Sequence, residues 1–586
     1  MTKESILMFM TLGLYQEHPT QRSPTTRFTP RWFPPKVVLV PLEPASITTT
    51  LKPKTALSEN STPPSRHALH EFAVDHFVSA PPRRRWGSPF RKPQPFDLET
   101  RLRWDRQLLK TPLTRGLKGD QIATALQAFR NISGFMGNRS SGKGQIDHCY
   151  KLLRNVMPRA TAIKDEIYCQ LCKQLTKNPD SNATANGWLL VCACLVTFPP
   201  SSRLAPFMER FFADHIGDGD IRVSQFATNC LASLHEWTTK GKTERNELPS
   251  LMEIESLRDN RPVNVPVFLI DGSSHEVAVN SWSTCAQLSD LMAERLHLNR
   301  RQAFTVFEVS AAGEERRVDP QERVLDLLSL WERLGVEKVP KKKKKKNRRG
   351  QEPIIDALPL RHHVLYKVYL NIPLDDDMIE DLELVYKQAV HDVVHAMIVC
   401  PLSECIQLAS FQLFVAHGPW DNSKDLEALL PSCMPRHLLS KSNSKEVAAK
   451  IKDVYQSLSP MTGTSDGNFE DLNAVSAQQI RHAYLKLCSG LRLYGSTFFV
   501  VHNTRDRSMP TELVLAVHHK GISLVSVANE AVLKQLPYVS IATWGYSSNA
   551  FVFVVGATTP DEDDEVEYVL KTKMVRSYGS VRKRIT

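Results

Sequence analysis

The chain lacks an apolar run long enough to cross a membrane. A spanning helix needs about 18 consecutive apolar residues, and the best stretch, Gly187 to Phe198 (GWLLVCACLVTF), has 12. The N-terminal text MTKESILMFMTLGL has the apolar centre of a leader peptide. Glu4 interrupts its start and no small-x-small cleavage site follows, so secretion is not expected. A disulfide framework is equally unexpected: there are 11 cysteines, an odd count, and several lie inside apolar runs. That usage reads as reduced, buried thiols in the cytosol. The chain offers no H-E-x-x-H, no G-x-G-x-x-G and no nucleophile elbow at a strand-to-helix turn. Sustained heptads and internal repeats are absent too, so coiled-coil pairing has no support. Charge of one sign is scarce outside a single spot. Lys341, Lys342, Lys343, Lys344, Lys345 and Lys346, with Arg348 and Arg349, supply eight of the 74 Lys and Arg, leaving 66 against 63 Asp and Glu. A chain-wide nucleic-acid coat is not implied, and nucleic acid is not an expected partner.

Three local patterns mimic chemistry. The stretch GNRSSGKG, Gly137 to Gly144, is one letter from a P-loop, with Gly144 where Ser or Thr should stand. A working P-loop follows a buried strand and opens a helix. This one follows helical text ending in SGFMG and lacks the hydroxyl that would hold Mg²⁺, so Gly137 is read as the glycine that stops a helix. The pairs Cys169-x-x-Cys172 and Cys192-x-Cys194 have zinc-like spacing but sit among Ile167, Tyr168, Leu171, Leu190, Val191 and Leu195. In that setting cysteine behaves as a small buried hydrophobe. His391 and His395, four apart with Asp392, read as a helix face. No catalytic, metal or cofactor-binding residue is assigned.

The organisation is legible from texture. The first hundred residues hold 15 of the 37 prolines, which marks a disordered arm over residues 1–66. Helical spacing then dominates. Ile122, Leu126, Phe129 and Ile132 share one predicted helix face, as do Ile167, Leu171 and Leu175. Near Pro262 the period changes: VNVPVFLIDGSSHEVAVN reads as a hairpin about Asp271-Gly272, followed by a helix and the strand AFTVFEV. After the lysine run come helices to about Cys488, then a hairpin about Lys520-Gly521 and two strands in YVSIATWGYSSNAFVFVV. Six adjacent ammonium groups repel one another, so the run is a solvated loop attractive to anionic surfaces. Arg83, Arg84 and Arg85 make a smaller basic spot.

Some of these stretches carry a resemblance. DEIYCQLCKQLTKNP (Asp165 to Pro179) and GWLLVCACLVTFPPS (Gly187 to Ser201) resemble the core signature of the myosin-tail-homology-4 domain, and Phe135 to Gly137 fits the end of its early helix. VYKQAVHDVV, LASFQ (Leu408 to Gln412), LYGSTFFVV and LPYVSIATWGYSSNAFVFVV resemble parts of a FERM domain. The tandem covers roughly residues 67 to 580 and is similar to the cargo-binding tails of unconventional myosins, class XV first and class VII next, and to a plant kinesin. It implies a multidomain α+β fold. Residues 67–250 form a helical domain and 262–338 a ubiquitin-like lobe; a basic loop takes 339–360. A helical lobe occupies 361–489 and a PH/PTB-like β lobe 490–586.

The resemblance implies a non-catalytic module without a cofactor, cytoplasmic and cytoskeleton-associated. Its partners would be cargo or adaptor proteins, microtubules or actin-associated proteins, and acidic phospholipids. Strand addition beside Ala550, Phe551, Val552, Phe553 and Val554 is one implied grip; an amphipathic helix between the helical domain and FERM is another. An alternative reading makes the chain a phosphoinositide- or microtubule-targeting module acting through its basic loop. No motor head or IQ-type helix is present, so a tail fragment or headless form is expected. The basic loop, placed where the first two lobes join, is not a family feature. The closing helix, in EYVLKTKMVRSYGSVRKRIT, carries Gly579, which costs about 1 kcal/mol in a helix interior.

Overall fold

A computed structural model of the protein describes residues 68–78 and 98–571, apart from short stretches of which the longest are 338–361, 370–378, 459–475 and 557–565. The arm over 1–66, the basic residues 341–346, 348–349 and 83–85, and the closing segment after Lys571 lie outside the described residues.

The helical domain comprises α1 (Leu69–His76), α2 (Leu98–Leu102), α3 (Asp120–Met136), α4 (Gln145–Val156), α5 (Thr161–Leu175), α6 (Ser181–Thr197), α7 (Ala205–Ala213), α8 (Ile221–Thr238) and α9 (Leu251–Asp259). Helix α6 is its axis, buried almost all round, as an uninterrupted apolar run demands. The Asp180 carboxylate starts it by accepting the Asn182 and Ala183 amides at 2.9 and 3.0 Å. Gly137 ends α3 at φ 86°, the left-handed stop expected of it. The buried face of α3 departs from the expected one. It is lined by Ala125, Ala128, Phe129 and Ile132, while Ile122 is 38% exposed. The alanines let α3 approach its neighbours closely, which outweighs covering one isoleucine.

The second unit is a five-stranded roll. Strands β1 (Val263–Phe268) and β2 (Ser274–Val279) form the expected hairpin, with Gly272 at φ 83° in its turn. Helix α10 (Cys285–Arg295), β3 (Phe304–Val309), β4 (Glu315–Arg317) and α11 (Val324–Glu337) follow. The sheet is completed by β5 (His363–Val368), from beyond the basic residues, in the order β2-β1-β5-β3-β4. β5 pairs parallel with β1 and antiparallel with β3. This corrects the expected boundaries: the ubiquitin-like lobe does not end at 338, and residues 363–368 are not part of the helical lobe. The basic residues therefore fall in sequence between two elements of the first lobe, not between two lobes.

The helical lobe holds α12 (Ile379–Val394), α13 (Leu402–His417), α14 (Leu426–Cys433), α15 (Arg436–Leu439), α16 (Ser444–Ser457) and α17 (Ala477–Gly490). Tyr455 anchors its core, fully buried, donating its hydroxyl to the Leu413 and Gly418 carbonyls. The β lobe is an antiparallel meander of β6 (Thr497–Asn503), β7 (Glu512–His518), β8 (Gly521–Ser526), β9 (Val532–Pro537), β10 (Ile541–Tyr546), β11 (Ala550–Val555) and β12 (Val566–Lys571). Spatially the order is β10-β11-β12-β6-β7-β8-β9. Its interior is Phe499, Val501, Leu513, Leu515, Ile522, Leu524, Phe553 and Leu570.

Gly521 opens β8 at φ 152°, and a Cβ there would stand 2.2 Å from the Leu536 carbonyl oxygen of β9. Gly521→Ala should therefore destabilise the β lobe by about 1–3 kcal/mol. Gly142→Ala, with open space around it, should change stability by less than about 0.5 kcal/mol. Urea unfolding followed by amide exchange in β7 to β9 measures the difference; equal effects would mean that the close approach is not a constraint.

Candidate functional site

The helical domain and the first lobe meet through buried charge. The Arg245 side chain has no exposed surface, and Glu253 of α9 is 1% exposed. Arg245 donates to both Glu253 oxygens at 2.8 and 3.0 Å, and its Nε donates to Asp326 of α11 at 2.6 Å. Burial opposes the Arg245 charge, but the two carboxylates outweigh burial and raise its pKa. Burial likewise holds Asp326 above the usual aspartate range, against the pull of Arg245.

A second basic residue crosses the same junction. Arg323, just before α11, donates to the Val196 carbonyl of α6 at 2.9 Å. Its guanidinium lies 4.2 Å from the ring centre of Trp282 and 5.4 Å from that of Trp237, and the two indoles meet edge to face. Burial, then repulsion from Arg245, pushes Arg323 down to about 10. The indole N–H groups are both used: Trp237 donates to the Leu195 carbonyl and Trp282 to the Ser233 hydroxyl. Around the edge, Arg333 pairs with Glu247 at 2.9 Å, and the Leu251 amide donates to Glu332 at 3.1 Å.

At the far end of the chain, the β lobe has two sheet edges. β9 is blunted by Lys534 and Pro537. β10, Ile-Ala-Thr-Trp-Gly-Tyr, has no lysine or proline, and its outer side has no partner strand among the described residues. The expected docking strand, Ala550 to Val554, is not at an edge. It belongs to β11, which pairs with β10 on one side and β12 on the other. Its backbone groups are taken, so a peptide cannot add there; an uninterrupted apolar run suits an interior strand.

The other sequence candidates resolve into structure. All 11 cysteines are free and buried, and burial lifts the Cys149 thiol to about 12. Cys192 and Cys230 touch at 3.4 Å. Among the described residues no group of three or more His, Cys, Asp and Glu is placed to hold a metal. His391 of α12 stacks at 4.2 Å on His395, just past the helix end, and lies against Asp392. No described helix is long and apolar enough to cross a membrane. Sequence reasoning missed Arg245 and Arg323. Arg245 lies in the polar text KGKTERNELPS, where nothing local marks it as buried.

Comparison with known proteins agrees with this geometry. The MyTH4 domain matches residues 151–256, the RA like domain 261–352, the FERM central domain 375–499 and the PTB domain (IRS-1 type) 499–578. Unconventional myosin heavy chain 6 of Caenorhabditis elegans is 23% identical over 523 residues, 86% of this chain and 23% of that one. Myosin-VIIa of Drosophila melanogaster is 23% identical over 504 residues, 84% of this chain and 21% of that one. The chain thus spans about a fifth of the length of these curated relatives. Among solved structures, the human Myosin 7b C-terminal MyTH4-FERM domain, in complex with the harmonin-a PDZ3 domain, has a TM-score of 0.62 at 18% identity. It covers 90% of this chain and 100% of that one.

A helical platform joined to ubiquitin-like, helical and PTB-like lobes is the architecture these matches describe. The chain carries a MyTH4 domain followed by a FERM domain, and it resembles the tails of unconventional myosins, class VII among them.

Arg245→Met leaves two buried carboxylates without their cation and should cost about 3–5 kcal/mol. Adding Glu253→Gln should recover part of that loss. Urea unfolding of the full chain measures both, and a single-variant cost below about 1 kcal/mol would show that the junction does not depend on this charge.

Proposed function

We propose that the chain is a non-catalytic, cargo-binding tail module that ties partner proteins to the cytoskeleton. The observation that carries this reading is the buried Arg245 cluster, which joins the MyTH4 domain and the first FERM lobe into one body. Surfaces on either side are thereby presented together, as a docking platform requires. The PDZ domain held by Myosin 7b supports protein partners, cargo or adaptor proteins, as the ligand class. Actin-associated proteins and microtubules fit as secondary partners of a motor tail. No cofactor is needed for such a role, and its place is the cytoplasm, on the cytoskeleton.

The grip best supported is strand addition to β10. Its outer side has no described partner strand, while neighbouring Ala542 and Thr543 are exposed. Main-chain bonds would supply affinity, and pockets for alternate side chains specificity. A peptide selected by display against the full chain would be N-methylated one amide at a time. Binding should fall at every second position and persist between. Loss at every third or fourth position would instead favour a helix in the groove between the domains.

A second reading concerns the basic stretch Lys341–Lys346, Arg348 and Arg349. It connects α11 to β5 of the same sheet, so its charges are tethered to one folded lobe at both ends. Such a tether suits an anionic surface, acidic phospholipid or tubulin. Replacing Lys341 to Lys346 with serine should weaken liposome or microtubule pelleting at least tenfold at low salt. Unchanged pelleting would remove the loop and leave Arg83, Arg84 and Arg85 as the basic spot to test.

A further inference from the structure

Three arginines are buried among the described residues, and two of them are satisfied at the domain junction. Arg245 is held by two carboxylates, and Arg323 donates to a backbone carbonyl. The third, Arg317 of β4, is 7% exposed and pairs with neither a carboxylate nor a carbonyl among the described residues. Its guanidinium lies 4.2 Å from the ring centre of Tyr369, and its Nε finds no hydrogen-bond acceptor. The carboxylates near it in sequence and across the sheet are engaged elsewhere. Glu315 pairs with Lys367, Glu308 and Glu322 pair with Arg316, and Asp319 accepts the Gln321 amide. Arginine cannot shed its charge. One aromatic face recovers only part of the cost of taking a cation out of water. A water molecule would satisfy the N–H but not the charge.

We propose that Arg317 is the anchor of a site for a carboxylate carried by a partner protein, an Asp or Glu side chain with apolar neighbours. On the reading of the chain as a binder of protein segments, on which this site rests, it is a second point of contact, separate from β10. The charge balance selects carboxylate. Lys367 and Glu315 cancel, so Arg317 is left with its one positive charge. A carboxylate supplies one negative charge, whereas a phosphate monoester brings about −1.5 to −2 at neutral pH. A guanidinium also presents paired donors to the two oxygens of a carboxylate, and the Tyr369 ring holds its plane.

The surroundings are apolar. Phe307 of β3 stands opposite Arg317, Leu365 of β5 stands opposite Phe307, and Phe268 and Ile270 pack beside them half-buried. Access is from the rim: β4 is the last strand of its sheet, with no partner strand on its outer side among the described residues.

The test uses the full chain with Lys341 to Lys346 replaced by serine, so that the basic run does not contribute. The probes are acetyl-Leu-Asp-Leu-amide and its Asn and phosphoserine counterparts. The Arg317 Nε–Hε signal, identified by its loss in Arg317→Lys, is followed by NMR. It should shift saturably with the Asp peptide, and the Asn peptide should bind at least tenfold more weakly. Arg317→Lys keeps the charge without the paired donors and should weaken the Asp peptide severalfold. Arg317→Met should abolish the preference for Asp over Asn and raise the urea midpoint, where Arg245→Met lowers it. Failure of the β10 grip would leave these outcomes standing, because the signal reports on Arg317 alone. An unmoved signal, equal binding of the Asp and Asn peptides, or tighter binding of the phosphoserine peptide would overturn the proposal. So would a fall in the urea midpoint of Arg317→Met as large as that of Arg245→Met, which would mark Arg317 as paired within the chain. A shift of the same signal without peptide on changing Asp375, Asp376 and Asp377 to Asn would overturn the partner assignment and give the carboxylate to the chain itself.

Discussion

Removing a guanidinium from water costs several kcal/mol, and that cost is recovered only where carboxylates in good geometry surround it. Arg245 meets this condition with one carboxylate from each side of a domain boundary, Glu253 from α9 and Asp326 from α11. Separating the domains would leave Asp326 without its cation and Arg245 with one carboxylate in place of two. The helical domain and the first lobe are thus bound by an electrostatic requirement as well as by apolar area. Arg323 adds direction. Its bond to the Val196 carbonyl and its stack on Trp282 fix the start of α11 against the C-terminal turn of α6.

The later junctions are made differently. Between the first lobe and the helical lobe, the buried Asp381 carboxylate accepts the Asn299 and Arg300 amides at 2.8 Å each, and Lys387 reaches Asp271 at 3.1 Å. Between the helical and β lobes, Lys520 donates to the Ser489 carbonyl at 3.0 Å, and Leu493 packs on Val514, Ala516 and Val525. The buried arginine cluster therefore gives way to a buried carboxylate held by backbone amides beside a half-buried ion pair, and then to an apolar contact with one exposed hydrogen bond. The β10 edge, without a partner strand among the described residues, belongs to the lobe at the end of this gradient.

Much of this was legible where the signal was local. Asp271-Gly272 marks a turn because only a residue tolerant of positive φ fits there, and Gly137 ends α3 for the same reason. Periodicity gave the helices but misplaced the buried face of α3, because alanine is too small to register as a stripe and yet sets how closely helices approach. β5 was assigned to the wrong lobe for a nonlocal reason. HVLYKV reads as a strand, but no residue in it names its partners, which lie before the basic loop. For β11 the sequence did hold the answer: AFVFVV lacks the alternation of a half-exposed strand and so belonged inside the sheet. Arg245 was beyond reach, since its burial is decided by carboxylates 8 and 81 positions away.

A formal charge of +11 conceals how differently the same sign is used. Where positive charge is buried at the domain junction, it is mainly arginine, whose planar group presents several donors in fixed directions and can satisfy two carboxylates at once. Lys164 is buried too, but its partner Glu244 is half exposed, so that pair retains water on one side. Lysine also serves where positive charge is exposed, as at Lys143. A compact, strongly hydrated ammonium on a flexible stem costs little to keep in solvent and can meet an anion whose position the fold has not fixed. The buried arginines bind the helical domain and the first lobe to one another.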